Sequence, residues 1–493
     1  MTRCLTLSCF LMLLLSAPPV EALDVPVAGR RLLLRGDGPG PAARSLRLLV
    51  RDAAITAPFP DPTLGATLIV SGGAEAGQCF AMIPLDPAAW TAVGGDGASR
   101  GYRYRVSSPG TQGVRSIVLR SGLLRVVARG SGWPCPLSAG AERTPLRVEL
   151  RLAEGTRYCA AFGGEVKRNQ AGLFRARGAA APLACPSQEL SVANLNLLHG
   201  LSCTDGANCR QDERIDLLFE WIAASGCPDV VTLQEIWQVM APKIDARRQT
   251  VCPFPYEQLY TKVNTLDDEI VLSRYPAVSF TVTPLYIGFR HVTHARIDHP
   301  LGPVDVFTTH LASSSDLGPS PCGTVQPCPP ECVTAGAATI RECQAFQMAT
   351  LIEQVHDVPA PAVITGDFNA PPGSPEILRF TDRGWIDSYL AVGNPECDPA
   401  TGVGCTSGRF DDGLAELELP ASNETTRIDF AFLIPPAAGS CTLDPAADLD
   451  GDGKATRIFV DDPNPFAPSC GPAPLPICWP SDHEGSELDA TCF

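Results

Sequence analysis

The chain has 493 residues, a formal net charge of −16 and 20 cysteines. This length exceeds what one ordinary hydrophobic core supports, so we expect two domains. The cysteine content is typical of disulfide-bonded proteins from oxidising compartments, and the lack of paired Cys-x-x-Cys spacing argues against a cysteine-ligated metal cluster.

Residues 1–22 have the pattern of an export signal. Arg3 provides the positive start, an apolar run extends from Leu5 to Leu15, and Val20-Glu21-Ala22 is a small-residue cleavage site. The apolar run is too short to cross a bilayer comfortably, and no other stretch approaches that length. We therefore expect a secreted or periplasmic protein. Removal of the signal takes two cysteines with it and leaves an even number.

Residues 23–180 have the period-two pattern of β-strands. In Leu146–Leu152 apolar and charged residues alternate, which is typical of a strand with one buried face. Similar runs, separated by Gly, Pro and Asp, are Arg30–Arg35, Ser45–Val50, Ala66–Val70, Tyr102–Val106, Ser116–Arg120 and Leu123–Ala128. This pattern predicts a small all-β, sandwich-like accessory domain. The region has no histidine and no catalytic constellation, and residues 181–189 read as a linker.

Charge divides the chain unevenly. Residues 23–185 contain 21 Lys+Arg against 11 Asp+Glu, whereas residues 186–493 contain 16 against 42. Such a split indicates separate domains with separate partners. The basic region could bind a polyanion, or its charge could serve an electrostatic contact between the two domains. The sequence leaves both interpretations open.

Residues 190–493 alternate short apolar strands with helical segments, which predicts an α/β layered domain. The predicted strands are Ser191–Asn196, Val230–Leu233, Val304–Thr309, Ala362–Thr365 and Ile428–Leu433, and the predicted helices are Glu213–Ala224 and Ile340–Val355. Polar residues at the strand ends should point out of the sheet, where they are available for chemistry.

The residues at these strand ends suit chemistry on a phosphate ester. They are Asn196, Glu235, His310, Asp367, Asn369 and Asp429, with Asp482 and His483 late in the chain. A phosphoryl centre is shielded by its own negative oxygens, so hydrolysis needs a cation, an activated water and donors for the phosphate. Asp367 and Asn369 flank Phe368, which on a strand places both on one face with the ring inward. The alternative is a simple Asx turn.

Several short motifs in this region resemble the endonuclease/exonuclease/phosphatase superfamily. They are Leu195–Gly200, Leu233-Gln234-Glu235, Thr309-His310-Leu311, Gly366-Asp367-Phe368-Asn369 and Ser481-Asp482-His483. The resemblance covers residues 190–493 and implies a four-layer, DNase I-like α/β sandwich. It also implies a phosphodiesterase that depends on Mg²⁺, Mn²⁺ or Ca²⁺. The sequence departs from the family pattern at Leu195, where an aromatic residue is usual.

The resemblance assigns roles to individual residues. Glu235, Asp482 and Asn196 are expected at the metal, and His310 is expected to bind phosphate or protonate the leaving group. His483, paired with Asp429, would be the base or a stabiliser of phosphate charge. Asp367 and Asn369 would orient the attacking water and hold the phosphate.

The sequence is compatible with three functions. The leading hypothesis is a monomeric, DNase I-like nuclease with nucleic acid as its partner, because the basic region could hold a polyanion. The second is a sphingomyelinase-type phospholipase C, which would need exposed apolar residues; Leu285–Phe289 is the one modest candidate. The third is an inactive binding protein on the same scaffold.

Two insertions carry predictions of their own. Residues 312–343 contain Cys322, Cys328, Cys332 and Cys343 among prolines, which predicts a disulfide-stapled loop near His310. Asp448, Asp450 and Asp452 have the one-three-five spacing of a Ca²⁺ loop, but Phe459 stands at the twelfth position where a glutamate is expected. Structural Ca²⁺ and a solvated acidic turn are both open.

Overall fold

The computed structural model describes most of the chain after the signal. The described residues are 23–36, 44–72, 79–94, 100–106, 113–130, 133, 137, 146–152, 156–183, 185, 189–201, 203–263, 267–287, 290–356, 361–409, 414–436, 441–443 and 458–492. The predicted export signal at 1–22 and the predicted calcium loop of Asp448, Asp450 and Asp452 lie outside these residues.

The first region is built of strands. They are β1 (Asp24–Pro26), β2 (Gly29–Arg35), β3 (Ser45–Val50), β4 (Ala66–Gly72), β5 (Cys79–Pro84), β6 (Trp90–Ala92), β7 (Tyr102–Arg105), β8 (Val114–Arg120), β9 (Leu123–Arg129), β10 (Leu146–Leu152), β11 (Arg157–Phe162), β12 (Val166–Gln170) and β13 (Leu173–Ala179). Every strand that the sequence predicted here is present.

The second region mixes strands and helices. Its strands are β14 (Glu189–Asn196), β15 (Val230–Ile236), β16 (Glu257–Leu259), β17 (Asp268–Ser273), β18 (Ala277–Pro284), β19 (His291–His299), β20 (Gly302–His310), β21 (Ala362–Asp367), β22 (Ile386–Asp387), β23 (Asp429–Ile434), β24 (Cys441–Leu443), β25 (Ile458–Phe459) and β26 (Gly485–Cys492). Its helices are α1 (Gln211–Ala224), α2 (Ala241–Arg247), α3 (Pro330–Thr334), α4 (Ile340–Val355), α5 (Pro375–Thr381), α6 (Ser388–Ala391) and α7 (Leu414–Leu417).

Two sheets form a sandwich in the first region. One has the order β1-β11-β10-β4-β5, and the other has the order β12-β13-β2-β3-β9-β8-β7-β6. Alternate residues of both sheets, among them Leu48, Leu68 and Val126, meet in one buried core. The expected all-β architecture is therefore confirmed. The predicted linker at 181–189 needs one correction, because Glu189 already belongs to β14.

The half-buried strand predicted at Leu146–Leu152 is buried on both faces. Its apolar residues enter the sandwich core, as expected, but Glu149 and Arg151 are only 2% and 5% exposed. Arg151 donates hydrogen bonds to Glu149 Oε2 (3.1 Å) and to the carbonyl oxygen of Cys492 in the second region (3.2 Å). The alternating pattern did not predict this burial, because the surface that covers Glu149 and Arg151 belongs to the second region, far away in sequence.

The second region has four layers, as the resemblance implied. Two central sheets, β16-β17-β15-β14-β26-β24 and β18-β19-β20-β21-β23-β22, pack face to face through residues such as Val192, Val306 and Val363. Helices α1 and α2 cover the outer face of the first sheet, and α4 and α5 cover that of the second. The strands β14, β15, β20 and β21 place their carboxyl ends at one edge of the molecule.

Disulfides fasten the loops around this frame. Within the described chain the pairs are Cys159–Cys185, Cys203–Cys209, Cys227–Cys252, Cys322–Cys328, Cys332–Cys343, Cys397–Cys405, Cys441–Cys492 and Cys470–Cys478. The stapled loop predicted at 312–343 thus holds two of them. So many disulfides are typical of proteins from an oxidising compartment. Among the described helices, none is long and apolar enough to cross a membrane.

Candidate active site

The Gly366–Asn369 motif forms the centre of the site. Strand β21 ends at Asp367, and Phe368 turns inward to pack against Phe380, Phe430 and Phe432. Gly366 lets β21 approach β20, because a Cβ there would lie 2.1 Å from the carbonyl oxygen of Thr309. The main chain of Asp367 therefore lies beside His310 in parallel register.

Asn369 does not continue the strand. Its φ of +50° is left-handed, and its backbone N–H donates to Asp367 Oδ1 at 2.7 Å, which is an Asx turn. The prediction that both residues share one face of a strand is therefore wrong. The Asx turn does not exclude a functional role, because it fixes one oxygen of Asp367 and leaves Oδ2 for other partners.

Glu235 lies beside Asp367 at the end of β15. A register irregularity between Leu233 and Ile236 and a left-handed φ of +57° turn the Glu235 carboxylate toward the site. Asn196 Nδ2 donates to Glu235 Oε1 (3.0 Å) and to Asp367 Oδ2 (3.1 Å). The amide nitrogen of Asn196, rather than its oxygen, therefore faces the two carboxylates and holds them together.

His483 approaches the same oxygen of Asp367 from the late part of the chain. Its Nδ1 shares a 2.9 Å hydrogen bond with Asp429 Oδ2, and its Nε2 lies 3.9 Å from Asp367 Oδ2. Thr406 Oγ1 accepts a hydrogen bond from the backbone N–H of Asp429 at 3.0 Å. The Asp–His pair that the resemblance implied is thus formed in the structure.

A second aspartate–histidine pair lies on the other side of Asp367. His310 Nδ1 is 3.1 Å from Asp267 Oδ1, and His310 Nε2 is 3.4 Å from Asp367 Oδ2. Arg290 forms salt bridges with both Asp267 and Asp316, which belongs to the stapled segment. That segment therefore supports His310, as predicted, through an arginine that the sequence analysis did not identify.

Asp482 joins the site through its neighbour Ser481. The hydroxyl of Ser481 donates to the carbonyl oxygen of Asn196 and lies 3.2 Å from Asp482 Oδ1. Beneath them, fully buried Arg214 donates to the carbonyl oxygens of Leu197 (2.7 Å) and Pro480 (3.2 Å). Burial lowers the pKa of Arg214 to about 10, and the carboxylates of Asp482 and Glu235 oppose that shift.

The electrostatics favour charged imidazoles. Burial works against charge at His310, but Asp267 and Asp367 raise its pKa above the ordinary value. Burial also opposes charge at His483, yet Asp429 raises the pKa of this imidazole to well above the ordinary value. Burial raises the pKa of Asp429 above the ordinary value, and the charge of His483 opposes that shift. Both imidazoles then offer an N–H toward the centre.

Buried hydrogen bonds between the two central sheets position the site. Thr232 Oγ1 lies 2.8 Å from Thr365 Oγ1, and Gln234 Nε2 donates to Asn194 Oδ1 (2.7 Å) and to Thr308 Oγ1 (2.9 Å). Gln234, Thr365 and Thr308 lie one or two positions from Glu235, Asp367 and His310, respectively. These hydrogen bonds therefore fix the strand ends relative to each other.

The carboxylates of the site fit a divalent cation. Asp367 and Asp429 present oxygens within 4.8 Å of each other, Glu235 lies next to Asp367 through Asn196, and Asp482 is linked to Asn196 through Ser481. Asp429 Oδ1 is buried without a hydrogen-bond partner. Hard cations such as Mg²⁺, Mn²⁺ and Ca²⁺ prefer such oxygen-rich clusters.

Several functional residues carry no local signal in the sequence. Asp267 lies in the run Leu266-Asp267-Asp268-Glu269, where nothing distinguishes it from its neighbours, and its histidine partner is 43 positions away. Arg214 lies in a helix and Arg290 in a loop, and nothing in the sequence around them distinguishes either from other arginines. Glu235 does carry a local signal, because it follows a run of apolar residues, although the strand continues through it to Ile236.

One sequence family matches this region. The model described as "Endonuclease/Exonuclease/phosphatase family" matches residues 193–483, which is more than half of the chain. No curated protein matches the chain significantly by sequence.

Several solved structures are similar to part of this chain at low sequence identity. Truncated TDP2 from Caenorhabditis elegans is 18% identical, covering 62% of this chain and 97% of its own, with a TM-score of 0.38. Danio rerio TDP2, complexed with a single-strand DNA product, is 16% identical, with coverage of 61% and 98% and a TM-score of 0.37. A mannosyl-6-phosphatase of Bacteroides thetaiotaomicron is 16% identical, with coverage of 62% and 99% and a TM-score of 0.39.

Proposed function

Since the chain belongs to the endonuclease/exonuclease/phosphatase family of metal-dependent phosphoester hydrolases, we propose that it is an exported phosphodiesterase that cleaves nucleic acid. The observation that carries the proposal is the pair of imidazoles directed at one carboxylate oxygen. His310 Nε2 and His483 Nε2 lie 3.4 Å and 3.9 Å from Asp367 Oδ2. Such a centre offers two cations and one proton acceptor to a phosphate.

The two imidazolium groups stabilise the phosphate. Each is held by a carboxylate at Nδ1. The Nε2–H of His483 can therefore donate to a non-bridging oxygen of the phosphoryl group, and that of His310 to the leaving oxygen. This positive charge opposes the negative charge that grows as the phosphorus becomes five-coordinate. The environment thus favours charge stabilisation by His483 over the role of base that the sequence left open.

Asp367 orients the attacking water and accepts its proton. One of its oxygens is occupied by the Asn369 N–H, which leaves Oδ2 facing the centre. Water attacks opposite the leaving group, the new P–O bond forms as the old one breaks, and the configuration at phosphorus inverts. The leaving oxygen takes a proton from His310, which lies beside Asp367.

Glu235 and Asp482 are the residues that would hold a divalent cation, with Asn196 fixing Glu235 from the side. When bound, the cation supplies Lewis-acid neutralisation of phosphate charge. Glu235 is suited to this role because burial would raise its pKa, but the charges of His310 and His199 keep the pKa below the ordinary value.

A membrane phospholipid is the less suitable substrate. The apolar stretch Leu285–Phe289 was the candidate for bilayer contact. Its last two residues lie outside the described part of the chain, and Leu285 and Tyr286 are only 5% and 4% exposed. The Tyr286 hydroxyl donates to the carbonyl oxygen of Gln326 at 2.5 Å, within the stapled segment. These two side chains support the loop and are not available to a bilayer.

Hydrolysis of bis-(p-nitrophenyl) phosphate with and without EDTA tests the proposal. We expect turnover that EDTA abolishes and Mg²⁺, Mn²⁺ or Ca²⁺ restores. Plasmid nicking and sphingomyelin release should then be compared at equal enzyme concentration, with nicking expected to dominate. Absence of metal-dependent turnover would favour an inactive binding protein, and preferential release of phosphocholine would favour the phospholipase.

A further inference from the structure

The outer face of the eight-stranded sheet of the first region is an array of arginines. One row across the sheet runs Arg177, Arg31, Leu49, Arg125, Val118 and Arg103, as the strand registers show. The next row adds Arg47 and Arg105. All six arginines are exposed, whereas the residues between them along each strand point into the core.

No acidic residue of this sheet balances the array. Strands β2, β3, β6, β7, β8, β9, β12 and β13 contain no aspartate or glutamate. Within the described chain none of the six arginines has a salt-bridge partner, although Glu165 lies near enough to Arg177 to interact with it weakly. Arg177 and Arg31 are directly opposite on neighbouring strands, where like charges repel. Repulsion among these arginines destabilises the folded protein, and a bound anion would relieve it. The array is therefore suited to an anionic ligand.

This face points away from the second region. The other sheet of the sandwich makes the contact, because Arg151 donates to the carbonyl oxygen of Cys492, and Arg147, Glu149 and Pro300 line one cavity. The two outer faces of a sandwich point in opposite directions. The arginines are therefore not the electrostatic contact between regions that the sequence left open.

The contact also lies at the end of the strands opposite the catalytic centre. Pro300 stands just before β20, whose other end is His310, and Cys492 ends β26, whose first residue follows His483 closely. A nine-residue strand such as β20 spans about 30 Å, and a sandwich adds about 10 Å. The arginine face and the catalytic centre are thus separated by roughly 40 Å.

We propose that the arginine face, defined by Arg31, Arg47, Arg103, Arg105, Arg125 and Arg177, is a second binding site for the phosphate backbone of long nucleic acid. It rests on the nuclease function proposed above. A substrate long enough to reach both sites binds at the arginine face and is cleaved at the distant centre. Two linked contacts raise the effective concentration of the scissile bond at that centre.

The chemistry of the face favours a nucleic acid backbone. Guanidinium groups bind phosphate through two parallel hydrogen bonds, and a regular array of them suits a polymer with regularly spaced phosphates. The apolar residues between the arginines, such as Leu49 and Val118, are half-buried. No large exposed hydrophobic residue lies on this face among the described residues, so it offers nothing to insert into a bilayer.

Binding by the full-length protein in EDTA tests the proposal without cleavage. Fluorescence anisotropy should be measured with labelled duplexes of about 60 and about 10 base pairs, since about 12 base pairs are needed to span roughly 40 Å. The test variant is Arg31→Glu/Arg47→Glu/Arg125→Glu, and the matched control is Arg31→Lys/Arg47→Lys/Arg125→Lys. Metal-dependent turnover of bis-(p-nitrophenyl) phosphate verifies that each variant is folded.

We expect the Glu variant to bind the long duplex at least tenfold more weakly than the wild type, with a shallower salt dependence, and the Lys variant to bind nearly as well as the wild type. The short duplex cannot engage both sites at once, so it should bind the wild type more weakly than the long duplex does. Equal binding of the long duplex by wild type and Glu variant overturns the proposal. So does charge-dependent binding to phosphatidylserine vesicles without binding to DNA, which would make the face a membrane site. Loss of small-diester turnover in the wild type would instead contradict the proposed catalytic function.

Discussion

The two regions of the molecule use charge in opposite ways. In the first, arginines such as Arg47 and Arg125 stand exposed on a sheet without acidic partners. In the second, acidic residues such as Asp305 and Asp429 are buried, and imidazole or guanidinium groups surround them. In the first region, the net charge counted from the sequence is therefore charge that the surface presents to solvent. In the second region, part of the net charge counted from the sequence belongs to buried acidic residues that are already paired with cationic side chains.

This difference has a consequence for how each region responds to substitution. Removing a charge from the arginine face should change association with a long polyanion and little else. Removing a charge from the second region should change turnover or stability, because each buried group holds its partner in place. Substitutions in each region test this difference.

The largest effect is expected at the catalytic centre. His483→Ala should lower turnover of bis-(p-nitrophenyl) phosphate by about a hundredfold or more, because it removes a charged donor from the phosphate. The variant should remain folded, as judged by circular dichroism. The Arg31→Glu/Arg47→Glu/Arg125→Glu variant should keep wild-type turnover of this small substrate. Near-normal activity of His483→Ala would remove the residue from the mechanism.

A smaller effect is expected when a positioning residue is changed. Asp267→Asn should lower turnover about 10- to 100-fold, because His310 loses the carboxylate that orients it. The same carboxylate helps to raise the pKa of His310. The variant's imidazole should therefore lose its proton at lower pH than in the wild type. The limb of the pH–kcat profile that reports His310 should shift to lower pH, whereas a purely structural defect would lower kcat without moving it.

The smallest change in activity is expected at Asp305, far from the centre. Burial would raise the pKa of Asp305, but hydrogen bonds from His294, His356 and Arg296 lower it below the ordinary value. As the pH falls below about 5, the folded state therefore binds fewer protons than the unfolded state. The stabilisation that ionised Asp305 gives the folded state is present above the ordinary pKa and is lost on acidification. Asp305→Asn should cost about 3 kcal/mol at pH 7.

Urea unfolding from pH 7 to pH 3 measures this effect. The difference in unfolding free energy between wild type and Asp305→Asn should shrink toward the acid end, with turnover at pH 7 nearly unchanged. A difference that stays constant with pH would mean that the substitution acts through packing and not through ionisation.

Much of the second region could be read from its sequence because its signals are local. A strand followed by a polar residue identifies Glu235, Asp367 and His310, and helical spacing of apolar residues gave α4 its observed bounds. The residues that were missed depend on partners distant in sequence. Asp267 acquires its role only when β17 and β20 come together, and Arg151 is buried only because the second region covers it.

Backbone conformation was the other reason why a prediction from the sequence was wrong. The alternation rule placed Asn369 on a strand face, but its left-handed φ bends the chain into an Asx turn. The turn directs Asp367 Oδ2 toward both imidazoles, whereas Asn369 Nδ2 donates to the carbonyl oxygen of Leu311 at 3.0 Å. Local patterning thus predicted the wrong backbone geometry at Asn369, and the functional roles of both residues stay predictions.

The position of β26 in its sheet has a consequence for how the candidate site is assembled. This strand lies between β14 and β24, and the Ser481 hydroxyl just before it donates to the carbonyl oxygen of Asn196, 285 positions earlier. His483 therefore reaches Asp367 only once β26 has paired with β14. The early and late parts of this region must both be folded before the centre is complete.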